Sequence, residues 1–117
     1  MDDYTRSRFI QAIYKFNEKD YFECHEILED IWFDTHDDSK DFFQGLLHIA
    51  VGFYHLTKKN NTKGTIIQLN KATAKLNNYA KNYNGIDLAK LLTQVEALNI
   101  NLAKKKLPAR LPKIILL

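Results

Sequence analysis

The sequence has little of what a disulfide-bonded or membrane-spanning protein needs. Among its 117 residues, Cys24 is the single cysteine, glycine occurs four times, and both prolines lie near the carboxyl end. One cysteine excludes an internal disulfide and is typical of reducing compartments. The longest apolar run, from Phe42 to Leu56, is too short and too polar to cross a bilayer, and the amino end lacks a secretory signal pattern. We expect a cytoplasmic protein with no membrane segment.

Without proline before Pro108, most of the chain is free to form uninterrupted helices. Apolar residues recur at helical spacing, and Asp20, Ser39 and Asp87 are suited as N-caps, with Asn84-Gly85 as a C-cap. The pattern predicts helices over about 3–16, 20–34, 39–59 and 63–83, and from Asp87 to about Leu102. We expect one all-α domain over residues 1–117, a single-domain antiparallel bundle of about five helices. Its non-helical tail, extended over 107–117, docks onto a groove of this chain or of a neighbour.

Charge is distributed unevenly, although the net charge is only +3. Residues 1–57 contain five Lys or Arg and twelve Asp or Glu, whereas residues 58–117 contain twelve and two. The two halves then attract each other within a bundle or between copies, or the second half binds anions, or the bias is compositional and the charges are simply solvated. We expect a homo-oligomer. Nucleic-acid binding through the basic second half is less favoured, because no recognition motif accompanies its lysines.

Polar residues interrupt the apolar sides of the second and third helices. On the second helix, His25 and Glu29 lie between Phe22 and Trp32. On the third, Gln44, His55 and His48 fall at about 200°, 220° and 240° from Phe42, a stripe without Lys, Arg, Asp or Glu. Because a short loop favours antiparallel neighbours, we expect the two groups to meet in a semi-buried cluster. Its members are His25, Glu26, Glu29, Trp32, Gln44, His48 and His55.

Several interpretations of this cluster remain open. In the favoured one, it is a structural hydrogen-bond network or a small-molecule site, with Glu29 accepting from His, Gln or the indole N–H of Trp32. Alternatively, His25, Glu29 and His48 hold a metal ion or act as a general acid/base enzyme site. The sequence assigns no cofactor and no catalytic residue, since it has neither a nucleophile elbow nor a phosphate-binding glycine loop. Cys24 is expected to be an inert core thiol.

The segment from Tyr21 to Trp32, together with the later run from Gln44 to Ala50, resembles the signature of the family called domain of unknown function 309. That family consists of small all-helical bacterial and archaeal proteins. The resemblance covers roughly residues 9 to 90 and implies a helical bundle with no settled activity. Where the family commonly has Gln, this chain has His48, so any role of that histidine would be particular to this protein. The matching residues are Asn17, Tyr21, His25, Glu26, Leu28, Glu29, Trp32, Gln44, Gly45, Leu46, Ala50 and His55, together with the turn over 60–64.

Overall fold

The computed structural model describes residues 1–117 and confirms the all-α class. Its helices are α1 (Asp3–Asn17), α2 (Tyr21–Asp34), α3 (Lys40–Lys58), α4 (Thr62–Leu76) and α5 (Leu88–Ala103). Two short antiparallel strands, β1 (Asn82–Tyr83) and β2 (Ile86–Asp87), lie between α4 and α5. No helix combines the length and apolar character that a bilayer crossing requires.

Side-chain caps explain where most of these helices begin. The carboxylates of Asp20 and Asp87 and the amide oxygen of Asn61 each accept a backbone N–H from the first turn, at 3.3, 3.1 and 2.9 Å. Ser39 was predicted to cap α3, but its side chain makes no capping hydrogen bond. Its hydroxyl instead lies 2.8 Å from the Tyr83 hydroxyl, so this residue connects the start of α3 to β1.

The prediction that the fourth helix extends to Tyr83 was wrong. The helix ends at Leu76, and the chain then forms the two-stranded hairpin. Both residues of its turn have positive φ, 51° at Asn84 and 81° at Gly85. Asn-Gly is strongly preferred at such turns, because these two residues tolerate the left-handed conformation. The dipeptide therefore closes a hairpin and does not cap a helix.

Helix α3 is the centre of the bundle and packs against α2 on one side and α4 on the other. Its Phe42 and Phe43 are buried against Phe9 of α1, with ring centroids 5.9 and 5.5 Å from that ring. At Gly45 a Cβ atom would lie 2.5 Å from Cγ of Leu76, so the absence of a side chain is what lets α3 and α4 approach here.

The carboxyl tail docks onto its own chain. The Asn17 side chain donates to the carbonyl of Ile114 at 2.8 Å and accepts from the N–H of the same residue at 2.7 Å. The backbone of Asp87 donates to the carbonyl of Ile115 at 2.9 Å, which joins the tail to β2. Ile114 is almost fully buried. These contacts connect the end of α1, the hairpin and the end of the chain.

Candidate functional site

A histidine–carboxylate pair lies on the surface of α2. Nε2 of His25 is 3.1 Å from Oε2 of Glu29, one helical turn later, and Nδ1 is 3.7 Å from Oε1 of Glu26. The His25 side chain is 25% exposed and the Glu29 side chain 55% exposed. The structure therefore brings His25 and Glu29 together, but nearer to solvent than the sequence predicts. The interaction at 3.1 Å holds the carboxylate in a defined position on the helix.

Aromatic contacts fix the side of α2 that carries the pair. The ring centroid of Phe22 lies 6.0 Å from that of His25 and 5.8 Å from that of Tyr54 on α3. Phe22 is itself about half exposed. The His25–Glu29 pair therefore borders the groove between α2 and α3.

Trp32 lies at the end of α2, where Lys40 from the start of α3 covers it. The Lys40 ammonium is 4.4 Å from the ring centroid and donates to the Trp32 carbonyl at 2.8 Å. This combination of cation–π contact and hydrogen bond joins the two helix ends. The indole Nε1 is buried and has no hydrogen-bond partner. The predicted hydrogen bond from Trp32 to Glu29 is therefore not formed.

His48 is directed to α4. Its Nδ1 lies 2.8 Å from Oε1 of Gln68, so this nitrogen is the donor when the ring is neutral. Burial lowers the pKa of His48; the hydrogen bond with Gln68 opposes that shift, and the nearby ammonium groups of Lys71 and Lys75 lower the pKa further. Near pH 7 the side chain is a neutral imidazole.

Gln44 and His55, the other two members of the predicted stripe, are half-buried. Neither makes a hydrogen bond to His25 or Glu29, and Nδ1 of His55 is buried without a partner. The structure thus brings together one part of the predicted cluster, on α2, and places the α3 residues separately.

No group of three or more His, Cys, Asp or Glu side chains is arranged to hold a metal ion. His25 and Glu29 have only Glu26 near them, while His48 faces Gln68. Cys24 is fully buried, and burial raises the pKa of its thiol to about 12, which keeps it protonated and unreactive.

The polar residues of α2 and α4 described above border a surface that we call the α3 face. It consists of the half-buried side chains on the side of α3 opposite the core, and none of them is Lys, Arg, Asp or Glu. They are Gln44, Leu47, His48, Val51, Tyr54 and His55. Glu26 and Glu29 of α2 form an acidic edge to this face, and Lys71 and Lys75 of α4, which lie near His48, form a basic edge. The sequence identifies Lys71 and Lys75 only as part of the basic second half, because the spacing within α4 does not reveal which of its residues lie beside α3.

Comparison with known proteins gives relatives of unknown function. An uncharacterised protein, YpuF, from Bacillus subtilis (strain 168) is 45% identical over 47 residues, which cover 39% of this chain. An uncharacterised protein from Aquifex aeolicus (strain VF5) is 26% identical over 87 residues, or 74% of this chain. In each case the matched segment spans only 26% of the relative's length.

A family model also matches this chain. The match covers residues 9–78, more than half of the sequence, and includes the whole of α2 and α3 with their His25–Glu29 pair and the α3 face. The chain therefore belongs to the family described as Domain of unknown function (DUF309).

Proposed function

We propose that this protein is a self-associating helical interaction module that pairs with a second copy of itself through the α3 face. The supporting observation is that this side of the central helix is only half-buried, yet it has no Lys, Arg, Asp or Glu between Gln44 and His55. Solvent-facing sides of helices usually carry Lys, Arg, Asp or Glu, and uncharged surfaces with aromatic residues such as Tyr54 are typical of interfaces.

The charges on either side favour a second copy as the partner. Glu26 and Glu29 are each more than half exposed along the acidic edge. On the basic edge, Lys71 takes part in no ion pair, and Lys75 makes only a long contact with Asp41 at 3.5 Å. The same molecule therefore presents an acidic edge along one side of the α3 face and a basic edge along the other.

Symmetry determines how two copies would match. A two-fold axis that runs parallel to α3 within the interface places α2 of one copy over α4 of the other. The acidic edge then meets the basic edge at two equivalent positions. A two-fold axis perpendicular to α3 in the same plane would place Glu29 of one copy near Glu29 of the other, which like-charge repulsion disfavours. In the favoured arrangement, with the axis parallel to α3, His25 positions the Glu29 carboxylate for the basic edge of the second copy.

The first prediction is a charge-reversal series measured by sedimentation equilibrium at low salt. We expect Glu29→Lys and Lys71→Glu each to weaken dimerisation by at least about tenfold, because each variant creates two like-charge contacts. The chain that carries both substitutions should regain dimerisation, since the swapped charges again face opposite ones. An equimolar mixture of the two single variants should form heterodimers for the same reason.

Matched controls are Glu96→Lys and Lys81→Glu, which make the same charge changes at exposed positions away from the α3 face. These should leave the dissociation constant within about threefold of the original, because exposed charges outside an interface contribute little. A native chain that stays monomeric up to about 1 mM would overturn the proposal. Loss of dimerisation in the double variant would overturn the two-fold arrangement.

A further inference from the structure

A second surface, separate from the α3 face, has the features of a binding site. A cleft of about 760 Å³ lies between α5, the turn that joins α1 to α2, and the carboxyl tail. Its volume is within the range of small-molecule sites in proteins. No part of it belongs to the His25–Glu29 pair or to the α3 face.

The cleft is positively charged on three sides. Lys90 comes from α5, Arg110 and Lys113 from the tail, and Lys19 from the turn between α1 and α2. None of these four side chains forms an ion pair, and no Asp or Glu lines the cleft. Several cations around one concave surface raise the local concentration of anions, and a bound anion relieves their mutual repulsion.

Hydrogen bonds hold the tail and the turn between α1 and α2 in place around the cleft. The paired hydrogen bonds between Asn17 and Ile114 fix the tail beside Lys113. Lys19 lies in a turn with φ of 67°, and its backbone N–H donates to the Phe16 carbonyl at 3.0 Å. The cations are therefore carried by ordered backbone, which reduces the entropy lost when a ligand binds.

The remaining lining indicates an organic anion. Leu98, Leu111 and Pro112 supply an apolar surface, and Gln94 and Asn101 supply side-chain amides. Amide groups and guanidinium groups donate readily to phosphate oxygens.

We infer that this cleft, formed by Lys19, Lys90, Arg110 and Lys113, binds a small organic molecule that carries two or more phosphate groups. The cations converge from three elements on one hollow. A nucleic-acid strand would instead favour a continuous basic stripe that follows its backbone. Convergence around an apolar floor fits a compact ligand with an anionic part and an uncharged part.

Isothermal titration calorimetry with inorganic pyrophosphate tests the anionic part, and ATP tests the anionic and organic parts together. We expect both to bind the native chain, with ATP at least as tight because it also covers the apolar floor. The variant Arg110→Gln/Lys113→Gln should bind pyrophosphate at least about tenfold more weakly, since it removes two of the four cations. Affinity should fall as salt is added.

The matched control is Lys63→Gln/Lys81→Gln, which removes two exposed lysines that lie outside the cleft. It should leave the affinity within about twofold, because distant exposed charges are screened. No binding of pyrophosphate at low salt, or an equal loss in the control, would overturn the inference. Tighter binding of a single-stranded oligonucleotide than of ATP, lost in the Arg110/Lys113 variant, would replace the small molecule by a nucleic acid. Thermal unfolding of each variant verifies that it is folded.

Discussion

At the scale of single residues, two histidines have defined polar neighbours: His25 lies beside Glu29 on the same helix, and His48 lies beside Gln68 on α4. His25 and Glu29 are one turn apart, so their proximity follows from the helix alone. The partner of His48 depends on how α4 is positioned against α3, which no local pattern specifies. Sequence periodicity placed His48 in a stripe with Gln44 and His55, but the structure gives it Gln68 as its partner.

The burial of His48 predicts how stability depends on pH. The folded pKa is lowered from 6.5, so the unfolded chain binds more protons than the folded one between 6.5 and the lowered value. Stability from this group is therefore fully present above pH 6.5 and is lost as pH falls through that window. We expect His48→Gln, which stays neutral, to reduce this loss.

Urea unfolding at a series of pH values across this window measures the effect, with His36→Gln as the control at an exposed histidine. An unchanged pH dependence in His48→Gln would contradict the assignment. The same loss of pH dependence in the control would show that the effect is not specific to His48.

At the scale of helices and strands, the boundaries of α1, α2, α3 and α5 followed closely from apolar spacing and N-cap residues. The end of α4 did not, because Tyr79 and Tyr83 continue the helical spacing of the apolar residues before them. In the structure these two rings pack against each other, with centroids 4.7 Å apart, and both pack against Phe42. A turn and hairpin can therefore satisfy the same apolar pattern as a continued helix.

The close approach of α3 and α4 predicts that alanine is costly at one glycine of α3 and tolerated at another. Gly45→Ala should destabilise the fold by about 1–3 kcal/mol, because the new methyl group would overlap the buried side chain of Leu76. At Gly52 the nearest atom, Cβ of Gln68, would lie 3.3 Å away. There the gain in helix propensity of up to about 1 kcal/mol should offset the tighter contact.

Urea unfolding of the two alanine variants under identical conditions compares them directly, and each serves as the control for the other. Equal destabilisation by Gly45→Ala and Gly52→Ala would show that contact distance does not limit the approach of α3 and α4. A stabilised Gly45→Ala would have the same meaning.

At the scale of the whole molecule, the all-α class, the number of helices and the uneven charge were accessible from the sequence. The docking of the tail was expected, but whether it bound its own chain or a neighbour was open. The choice depends on Asn17, which lies 97 positions from Ile114 and forms two hydrogen bonds with it. Neither residue has a local pattern that identifies the other as its partner.

Because these two hydrogen bonds connect the end of α1 to the tail, Asn17→Ala should lower the unfolding free energy by about 1–3 kcal/mol. The substitution leaves the N–H and carbonyl of Ile114 without their partner. Asn17→Asp keeps the acceptor for the N–H and should be intermediate. Asn78→Ala, which removes one exposed hydrogen bond at 3.2 Å, is the control and should cost less than about 0.5 kcal/mol.

Guanidinium unfolding measures these differences. A native-like stability of Asn17→Ala would show that the tail is held without this side chain. The dissociation constant of the proposed dimer should be unchanged in the same variant, because the tail docks within its own chain.

The position of Trp32 gives the protein a built-in optical reporter. It is the one tryptophan in the chain, and it lies beside Lys40 where α3 begins. Its indole emission therefore comes from a single site next to the α3 face. If two copies pair as proposed and exclude water from that region, the emission maximum should move to shorter wavelength without any attached dye.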